Sequence, residues 1–449
     1  MLPEGFKQRM KNILGEEYDR FERALDEPNV RAIRVNTTKL STDEFLDKTT
    51  LTLSPIEYAA DGFIPDSCEG IGRTPEHHSG MFYVQDPGAM ATVKAIEIKE
   101  GWRVLDACSA PGGKASQLAS AIGNGGVILA NEYVPKRAKI IVSNFERLGI
   151  RNAVITSLDT QRIGEMFDSY FDLVLCDAPC SGEGMFRKYD EAITEWSPDN
   201  VRLCAERQRE ILNNLAPTVR AGGYLLYSTC TYSKEENEDT VRAFLENHPE
   251  FSLCPVDEKI KNATAKGLDG MEETRRFYPH ITKGEGQFIA LMKKDENTGN
   301  MPTILYKESV KQPSKEEIAV VKKFISDNIS GELCGRIIKW GEYLALIPHD
   351  LPIPPYSVFM PGVVLGEVKK GNFFPHHQFF SAYGSNFKLK EALLRGDARV
   401  EKYLRGEEID SKSDKNGWCA VTYEGVSLGG GKISCGRVKN HYPKGLRNN

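Results

Sequence analysis

Short apolar runs alternate with segments of helical periodicity between about residue 100 and residue 230. The apolar runs end in polar turns and are Trp102–Ala107, Gly126–Asn131, Asn152–Thr156, Phe171–Cys176 and Tyr224–Ser228. An uninterrupted apolar run is typical of a strand that is buried on both faces, as in a parallel sheet. The alternation therefore predicts an α/β fold, a doubly wound Rossmann-like sheet with helices on both sides.

Three further elements are predicted around this core. A helix is expected from Pro198 to about Arg220, because Ser197 can cap it and proline suits its first position. Another helix is expected to begin at Ser233, where Ser-Lys-Glu-Glu236 has the spacing of a capping box. The run Gly286–Met292 predicts a last strand, which follows a loop too short for a crossover helix. We therefore expect it to be antiparallel and to lie at the sheet edge.

The length of 449 residues allows two or three domains. We divide the chain into a small N-terminal α+β domain at residues 1–95 and a core at 96–295. A linker at 295–302, a connecting domain at 303–365 and a C-terminal region at 366–449 follow. Phe6–Leu25 reads as helical and Ala32–Asn36 as a strand.

The composition is that of an ordinary globular protein, with 40% hydrophobic and 27% charged residues. No apolar run is long enough to cross a bilayer and the N-terminus lacks a secretory pattern, so we expect a cytoplasmic protein with no membrane partner. Ten cysteines are too sparse for a disulfide scaffold, and Cys176 and Cys180 have no second cluster to complete a metal site. We expect free thiols, no metal and a monomer.

A glycine-rich turn at Asp106–Lys114 follows the first predicted strand. Gly112 and Gly113 allow a ligand to approach the backbone, and the helix that follows offers free N–H groups. Glu132 ends the next strand, where an acid can bind ribose hydroxyls, and Asp159 follows the third strand near the expected position of an adenine. The turn lacks the glycine spacing of dinucleotide and nucleotide triphosphate sites, so a nucleoside cofactor without phosphates is predicted.

Two cysteines follow the carboxyl ends of predicted strands, among polar turn residues. They are Cys180 and Cys230, whereas Cys204 and Cys254 fit the role of small buried hydrophobic residues. A parallel sheet carries its chemistry at the carboxyl ends of its strands. Cys180 and Cys230 are therefore the candidates for nucleophilic chemistry.

Several segments in combination resemble the NOL1/NOP2/Sun superfamily of RNA cytosine-5 methyltransferases. The extension Glu183–Lys188 and the C-terminal segment most resemble its bacterial 16S rRNA branch, the RsmF (YebU) type. The segments are Tyr83–Gly88, Asp106–Lys114, Asp177–Lys188, Ser228–Thr231 and Gly429–Arg447. The last of these is similar to a PUA-like RNA-binding module. The resemblance extends over nearly the whole chain and implies a class I methyltransferase core with an RNA-engaging N-terminal domain.

The resemblance implies that S-adenosyl-L-methionine is the cofactor and that Cys230 attacks C6 of a cytosine. Cys180 would then assist release, and Asp177 can supply a hydrogen bond to N3 of the ring. The cofactor contacts implied by the resemblance are Cys108, Ser109, Ala110, Pro111, Gly112, Gly113, Lys114, Glu132, Arg137, Asp159 and Asp177. Ser109 and Ala115 depart from the residues usual in the superfamily, which bears on cofactor affinity rather than mechanism.

The net charge of −5 does not indicate a nucleic-acid partner, but the end of the chain is locally basic. The residues expected to contact phosphates of 16S rRNA or the 30S subunit are Arg187, Lys188, Lys432, Arg437, Lys439, Lys444 and Arg447. The aromatic residues at Asn372–Ser381 could either stack on RNA bases or be buried in the hydrophobic core.

Other functions remain open from the sequence. The chain could methylate tRNA instead of 16S rRNA, or it could be an assembly factor that binds RNA without catalysis. Retention of Asp177, Cys180 and Cys230 argues against the second alternative. A dehydrogenase is disfavoured by the glycine spacing, and a cysteine hydrolase would require a histidine base, which neither His248 nor His280 evidently provides.

Overall fold

The computed structural model describes residues 2–298, 300–348 and 353–448. The N-terminal part forms a four-stranded antiparallel sheet, in the order β2-β3-β1-β4, with helices around it. Its elements are α1 (Glu4–Leu14), α2 (Tyr18–Leu25), β1 (Ala32–Val35), α3 (Thr42–Lys48), β2 (Leu53–Ile56), β3 (Ala59–Pro65), α4 (Pro75–His78), β4 (Phe82–Gln85) and α5 (Pro87–Lys94).

The middle of the chain forms the alternating core that the sequence predicts. Its first half comprises β5 (Arg103–Asp106), α6 (Gly113–Ala121), β6 (Val127–Asn131), α7 (Pro135–Leu148), β7 (Ala153–Thr156), α8 (Thr160–Met166), β8 (Phe167–Asp168) and β9 (Phe171–Asp177). Its second half comprises α9 (Asp190–Glu195), α10 (Pro198–Leu215), β10 (Val219–Thr229), α11 (Glu238–Asn247), β11 (Phe251–Cys254), α12 (Glu258–Asn262), β12 (Ala265–Lys266), β13 (Arg275–Phe277) and β14 (Gln287–Lys294).

The C-terminal part contains two smaller sheets. Its elements are β15 (Thr303–Ile304), α13 (Lys315–Asn328), β16 (Arg336–Trp340), β17 (Tyr343–Ile347), β18 (Val358–Met360), β19 (Val363–Lys369), β20 (Asn372–Pro375), α14 (His377–Tyr383), β21 (Lys390–Leu393), α15 (Arg399–Leu404), β22 (Ile409–Asp410), β23 (Gly417–Tyr423), β24 (Val426–Ser434) and β25 (Arg437–Asn440). The sheet orders are β16-β17-β19-β20 and β21-β23-β24-β25-β22.

The ten-stranded central sheet confirms the predicted fold class. Strands β7, β6, β5, β9 and β10 are neighbours in that order and run parallel. The chain moves outward from β5 through β6 and β7, and then returns to β9. The switch in direction therefore lies between β5 and β9, where the loops after these strands diverge and leave room for a ligand.

Three predictions about element positions are wrong in detail. Strand β14 is antiparallel to β10 as expected, but β11 and β13 pair with its other side, so it is not the edge. Helix α10 ends at Leu215, because a short turn containing Pro217 leads directly into β10. No helix begins at Ser233: α11 begins at Glu238, since the side chains of Ser233 and Glu236 are engaged with other loops.

The predicted linker and connecting domain are in contact with the core. Residue 299 of the linker and residues 349–352 of the connecting domain lie outside the described residues. Asn300 donates a hydrogen bond to the Asp168 carboxylate at 2.7 Å, and β15 pairs with β8. Strand β18 extends the central sheet by pairing antiparallel with β7. Among the described helices, none is long and apolar enough to cross a membrane.

The N-terminal domain packs against the C-terminal sheet through a shared apolar core. Phe82 and Val35 from one and Tyr403 and Leu428 from the other belong to this cluster. Polar contacts add to it: the Tyr423 hydroxyl donates to Glu76 at 3.1 Å. The N-terminal domain and the C-terminal five-stranded sheet therefore form one packed unit.

His377, at the start of α14, makes the stability of this assembly dependent on pH. Burial, with smaller effects from the neighbouring His376 and Lys39, lowers the pKa of His377 from 6.5 to about 3. The unfolded chain takes up a proton below about pH 6.5 and the folded chain does not, so the His377 contribution is complete above that pH and is lost as the pH falls towards 3.

We expect protonation of His377 in the unfolded chain to lower the free energy of unfolding by about 1 kcal/mol as the pH is reduced from about 7.5 to about 5.5. Denaturant unfolding at the two pH values measures it. His377→Gln should reduce the fall by that amount. Equal pH dependence of wild type and His377→Gln would exclude the assignment.

Candidate active site

The two candidate cysteines lie at neighbouring strand ends. Cys180 is in the loop after β9 and Cys230 directly follows β10, and these strands are parallel with Asp177 paired in register to Ser228. The two Sγ atoms are 3.1 Å apart, and both side chains are half-buried. The sheet thus brings together two thiols that are 50 residues apart in the chain.

Asp177 connects these cysteines to the glycine-rich turn. One of its carboxyl oxygens accepts from Lys114 Nζ at 2.8 Å, and the other accepts from the Ser228 hydroxyl at 2.6 Å. Lys114 is in the first turn of α6. Burial lowers the pKa of Lys114, but the Asp177 charge and hydrogen bond, with further contributions from Cys230 and Asp106, raise it overall. A persistent positive charge therefore stands between the glycine-rich turn and Cys230.

The Cys180 thiol holds its proton more tightly than an ordinary cysteine does. Its hydrogen bond with the Cys230 sulfur, followed by burial and the charges of Cys230 and Glu236, raises the Cys180 pKa well above its ordinary value. Cys180 can therefore donate its S–H to Cys230. Such a hydrogen bond stabilises negative charge on the acceptor sulfur.

Glu183 fixes the loop that carries Cys230. Its buried carboxylate accepts from the hydroxyls of Thr231 and Ser233, from the backbone N–H of Tyr232 and from Trp196 Nε1, at distances of 2.7–2.9 Å. Four donors satisfy a buried carboxylate almost completely, which makes the arrangement rigid. The loop after Cys180 thereby holds the loop after Cys230 in place.

Glu236 joins the same two loops from the other side. It accepts from the Ser181 N–H at 2.9 Å, from Gln208 Nε2 at 2.8 Å and from the Ser181 hydroxyl. Burial raises the Glu236 pKa to about 7 against the opposing effect of these bonds. Neither acid is expected at the site from the sequence, because Glu183 stands out only as part of a motif and Glu236 has the spacing of a helix cap.

Gly184 allows these loops to approach each other. Its N–H donates to the Cys230 carbonyl at 2.9 Å, and a Cβ added there would lie 2.7 Å from the Gly286 carbonyl oxygen and 2.9 Å from the Cys230 carbonyl oxygen. Separations of this kind require backbone to move. Substitution of Gly184 should therefore displace Cys230.

We expect Gly184→Ala to lower kcat/KM of the reaction at Cys230 by about tenfold to a hundredfold, since a small displacement of a reacting group has effects of that order. The free energy of unfolding should fall by about 1–3 kcal/mol. Steady-state kinetics and denaturant unfolding measure the two effects. Gly72→Ala is the control, because a Cβ at Gly72 meets nothing within 4 Å. Activity of Gly184→Ala equal to that control would contradict the assigned role.

The glycine-rich turn has the features of a cofactor site. Gly112 has φ +105°, a conformation that disfavours a side chain, and it caps α6 without a side-chain hydrogen bond. The first N–H groups of α6 are thus available to an anionic group. Both carboxyl oxygens of Asp106 are buried without a hydrogen-bond partner among the described residues. Burial and the charge of Asp177 raise the Asp106 pKa to about 8.

Two other expected cofactor residues lie at the ends of neighbouring strands. Glu132, only 4% exposed, follows β6; one carboxyl oxygen accepts from the Val134 N–H at 2.9 Å and the other lies 3.4 Å from Arg137. Asp159 follows β7 and caps α8, accepting from the Arg162 N–H at 2.8 Å, with its side chain 41% exposed. Arg137 also donates to the Ala110 carbonyl at 3.2 Å, which ties α7 to the turn.

These groups fit a nucleoside with a carboxylate tail and no phosphate. The glycine backbone permits close approach, the α6 N-terminus suits a carboxylate, and Glu132 can accept hydrogen bonds from ribose hydroxyls. The N-terminal domain supports the turn: buried Arg34 donates to the Gly113 carbonyl and to the Ser116 hydroxyl, both at 2.7 Å. Arg34 was not identified from the sequence, because its contact is with a distant part of the chain.

The structure corrects one expected RNA contact. The Arg187 side chain is 3% exposed, donates to Glu285 at 2.9 Å and to the Ala24 carbonyl at 3.1 Å, and therefore cannot reach a phosphate. Its neighbour Lys188 is exposed and lies over the Tyr189 ring at 5.2 Å.

The basic residues near the C-terminus differ in their exposure and in their side-chain contacts. Lys432, Arg437, Lys439 and Lys444 are exposed. Lys432 lies 5.6 Å from the centre of the Trp418 ring, and Arg437 is 3.6 Å from Glu408. Arg447 is half-buried and donates to the Tyr442 carbonyl at 3.2 Å. Four of these five cations are thus exposed on the surface.

The aromatic stretch Asn372–Ser381 is mostly core. Phe373, Phe379 and Phe380 are buried in one apolar cluster, whereas Phe374 is 42% exposed. The second half of the stretch belongs to α14. The stacking interpretation therefore does not apply to the three buried rings.

Three family models match the chain in succession. Residues 2–87 match the N-terminal domain of 16S rRNA methyltransferase RsmF, residues 93–293 match 16S rRNA methyltransferase RsmB/F, and residues 390–448 match the methyltransferase RsmF PUA domain. The matches correspond to the N-terminal sheet, the central sheet and the C-terminal five-stranded sheet.

Proteins of known name show the same similarity along the whole chain. Ribosomal RNA small subunit methyltransferase F of Vibrio vulnificus is 31% identical, with 99% of this chain and 97% of that protein aligned. The protein of the same name from Klebsiella pneumoniae is 32% identical, with 99% and 96% aligned.

Two solved structures match nearly two thirds of the chain. A methyltransferase homologue from Pyrococcus horikoshii is 30% identical with a TM-score of 0.57, and covers 64% of this chain and 93% of its own. The structure titled NSun6 from Pyrococcus horikoshii with SFG is 23% identical with a TM-score of 0.58, and covers 65% and 98%. The second likeness concerns the fold alone.

Proposed function

Since the chain belongs to the ribosomal RNA small subunit methyltransferase F family, we propose that it methylates C5 of a cytosine in 16S rRNA through a covalent bond from Cys230 to C6. The observation that carries the proposal is the pair of thiols 3.1 Å apart beside the Lys114–Asp177 ion pair. The resemblance of the motifs favours the decoding region of the small subunit as target. A protein that modifies ribosomal RNA is expected in the cytoplasm.

Cytosine C5 is a poor nucleophile until the ring is activated. Attack of the Cys230 thiolate on C6 forms an S–C6 bond and moves electron density towards C5 and N3. In this scheme N3 takes up a proton as the adduct forms and shares it in a hydrogen bond with Asp177, and Lys114 beside Asp177 supplies a positive charge that favours the electron-rich adduct. The S–H of Cys180 stabilises the Cys230 thiolate before the attack.

S-adenosyl-L-methionine, held by the glycine-rich turn, Glu132, Asp159 and the neighbouring residues, supplies an electrophilic methyl group when bound. After C5 has received the methyl group, its proton must leave so that the S–C6 bond can break and the C5–C6 double bond can be restored. Cys180 is suited to this step. Once the Cys230 sulfur is bonded to carbon, the negative charge that helped to raise the Cys180 pKa is gone. Cys180 can then lose its proton to solvent and accept the proton from C5.

Release of the C5 hydrogen tests this proposal directly. RNA made with cytidine tritiated at C5 should lose one tritium to water for each methyl group that it gains, and nuclease digestion should yield 5-methylcytidine. Small-subunit rRNA, 30S subunits and tRNA are the substrates to compare. Methyl transfer without tritium release would exclude C5 chemistry. Turnover on tRNA alone would retain the chemistry but overturn the 16S target, and no turnover on any RNA would favour a non-catalytic assembly factor.

A further inference from the structure

One exposed surface beside the cofactor turn has no role in the steps above. It lies at the start of α7 and comprises Tyr133, Val134, Lys136, Lys139 and Ile140, which we call the α7 ridge. Tyr133 is 70% exposed and Ile140 is 48% exposed, and both lysines are exposed. The opposite face of α7 is buried through Ala138, Ile141, Phe145 and Leu148. The ridge is therefore the solvent side of an otherwise well-packed helix.

The charges of the ridge are uncompensated. Residues 133–145 contain Lys136, Arg137 and Lys139 and no acidic residue, although the whole chain carries a net charge of −5. Arg137 pairs with Glu132, but neither lysine ammonium has a carboxylate within ion-pair distance among the described residues. Lys136 and Lys139 are three positions apart and so project from the same side of the helix. They present two free positive charges side by side.

A second exposed aromatic ring adjoins the ridge. The Ser157 hydroxyl donates to the Tyr133 carbonyl at 3.0 Å, and the Ser157 N–H donates to the Ser357 carbonyl at 2.8 Å. The residue before Ser357 is Tyr356, which is 43% exposed and lies 5.4 Å from the Arg162 guanidinium. Two exposed tyrosines and several cations therefore follow one another along this edge.

The ridge borders the proposed reaction site. Arg137 donates to the Ala110 carbonyl at 3.2 Å, and Asn144 Nδ2 donates to the Pro111 carbonyl at 2.9 Å, so α7 is joined directly to the cofactor turn. This turn and the two cysteines all lie at the carboxyl edge of the parallel strands. A polymer whose base reaches Cys230 could continue along this edge onto the ridge.

We propose that the α7 ridge is a binding surface for single-stranded RNA flanking the target base, with Lys136 and Lys139 on phosphates and Tyr133 stacked on a base. Unpaired lysines together with an exposed aromatic ring are the combination that binds single strands without reading sequence. This inference rests on the proposed RNA substrate and adds a contact surface to the same site. A cytosine displaced from a helix leaves neighbouring nucleotides unpaired, and these are the nucleotides that such a surface would bind.

The test measures the dissociation constant of a short fluorescein-labelled single-stranded RNA over a range of salt concentrations. Each lost phosphate contact lowers the salt dependence of log K by about 0.7 for single strands, so Lys136→Glu/Lys139→Glu should lower it by about 1.4 and weaken binding at least tenfold. Tyr133→Ala should weaken binding about tenfold with little change in the salt dependence. Lys136→Gln/Lys139→Gln should lower the salt dependence similarly, with weaker loss of affinity.

The matched control is Lys322→Glu/Lys323→Glu, which makes the same change of charge at two exposed lysines on α13. Its RNA affinity should equal that of wild type after correction for net charge. Affinity for S-adenosyl-L-methionine, measured by calorimetry, should be unchanged in all the ridge variants. A parallel loss of cofactor affinity would mean that the ridge acts through the turn, and would overturn the proposal.

Two results separate this inference from the proposed function. If wild type methylates RNA and the ridge variants bind RNA like the α13 control, the ridge proposal is wrong and the function stands. If wild type neither binds nor methylates RNA, the proposed function fails and the ridge proposal fails with it. Ridge variants with weakened RNA binding, intact cofactor binding and a raised KM for RNA at unchanged kcat are the expected result.

Discussion

Replacement of Cys230 by alanine should abolish methyl transfer, with a loss of about 10⁴-fold or more in kcat, because removal of a covalent nucleophile has effects of this size. Binding of S-adenosyl-L-methionine should be nearly unchanged. The cofactor turn follows β5, and β9 separates that strand from the β10 end that carries Cys230. Tritium release from RNA measures the first effect, and calorimetry measures the second.

Cys334→Ala is the matched control for this variant, since Cys334 is an exposed thiol remote in sequence from the active-site loops. It should retain wild-type activity. Turnover by Cys230→Ala above about a tenth of wild type would contradict the assignment, because the reaction would then proceed without the Cys230 sulfur. Loss of cofactor binding in Cys230→Ala would instead indicate a disturbed fold.

Replacement of Cys180 by alanine should trap the reaction after methyl transfer. The Cys180 sulfur lies 3.1 Å from the Cys230 sulfur and is the proposed acceptor of the C5 proton. Without it the proton stays on C5, and the S–C6 bond cannot break. We expect an RNA–protein adduct that survives denaturing electrophoresis and a fall in kcat of about a hundredfold or more. Digestion of the adduct should release a peptide containing Cys230 bonded to a methylated cytosine.

The double variant Cys180→Ala/Cys230→Ala provides the control, because it lacks the sulfur that forms the bond. It should yield no adduct. If Cys180→Ala turns over at the wild-type rate and leaves no covalent species, Cys180 has no part in release. An adduct that persists in the double variant would show that another residue is the nucleophile.

Much of the central fold could be predicted because its signals are local. Strands buried on both faces appear as apolar runs, and α7 carries local signals of its ends, since Pro135 begins it and Gly149, in the left-handed conformation, follows its last residue. The placement of Cys180 and Cys230 at one edge followed from the same reasoning, because parallel strands bring their carboxyl ends together. The distance between the two sulfur atoms could not be predicted from the sequence and is known from the structure.

The errors arose where a side chain has a partner far away in the chain. Ser233 and Glu236 have the spacing of a helix cap, but Glu183 and Ser181 engage them across the two loops. Arg187 lies in a motif with the charge expected for RNA binding, yet its guanidinium neutralises Glu285. Local sequence cannot show whether a charged residue will be buried, since that depends on which other groups the fold brings to it.

Bisulfite sequencing of rRNA and tRNA can identify the modified cytosine and show whether its methylation requires Cys230. The RNA should come from cells that lack this protein and from the same cells supplied with wild type or Cys230→Ala. We expect a cytosine in small-subunit rRNA that resists bisulfite only when the wild-type protein is present. A small-subunit cytosine equally protected by Cys230→Ala, or no difference in any RNA between these cells, would contradict it.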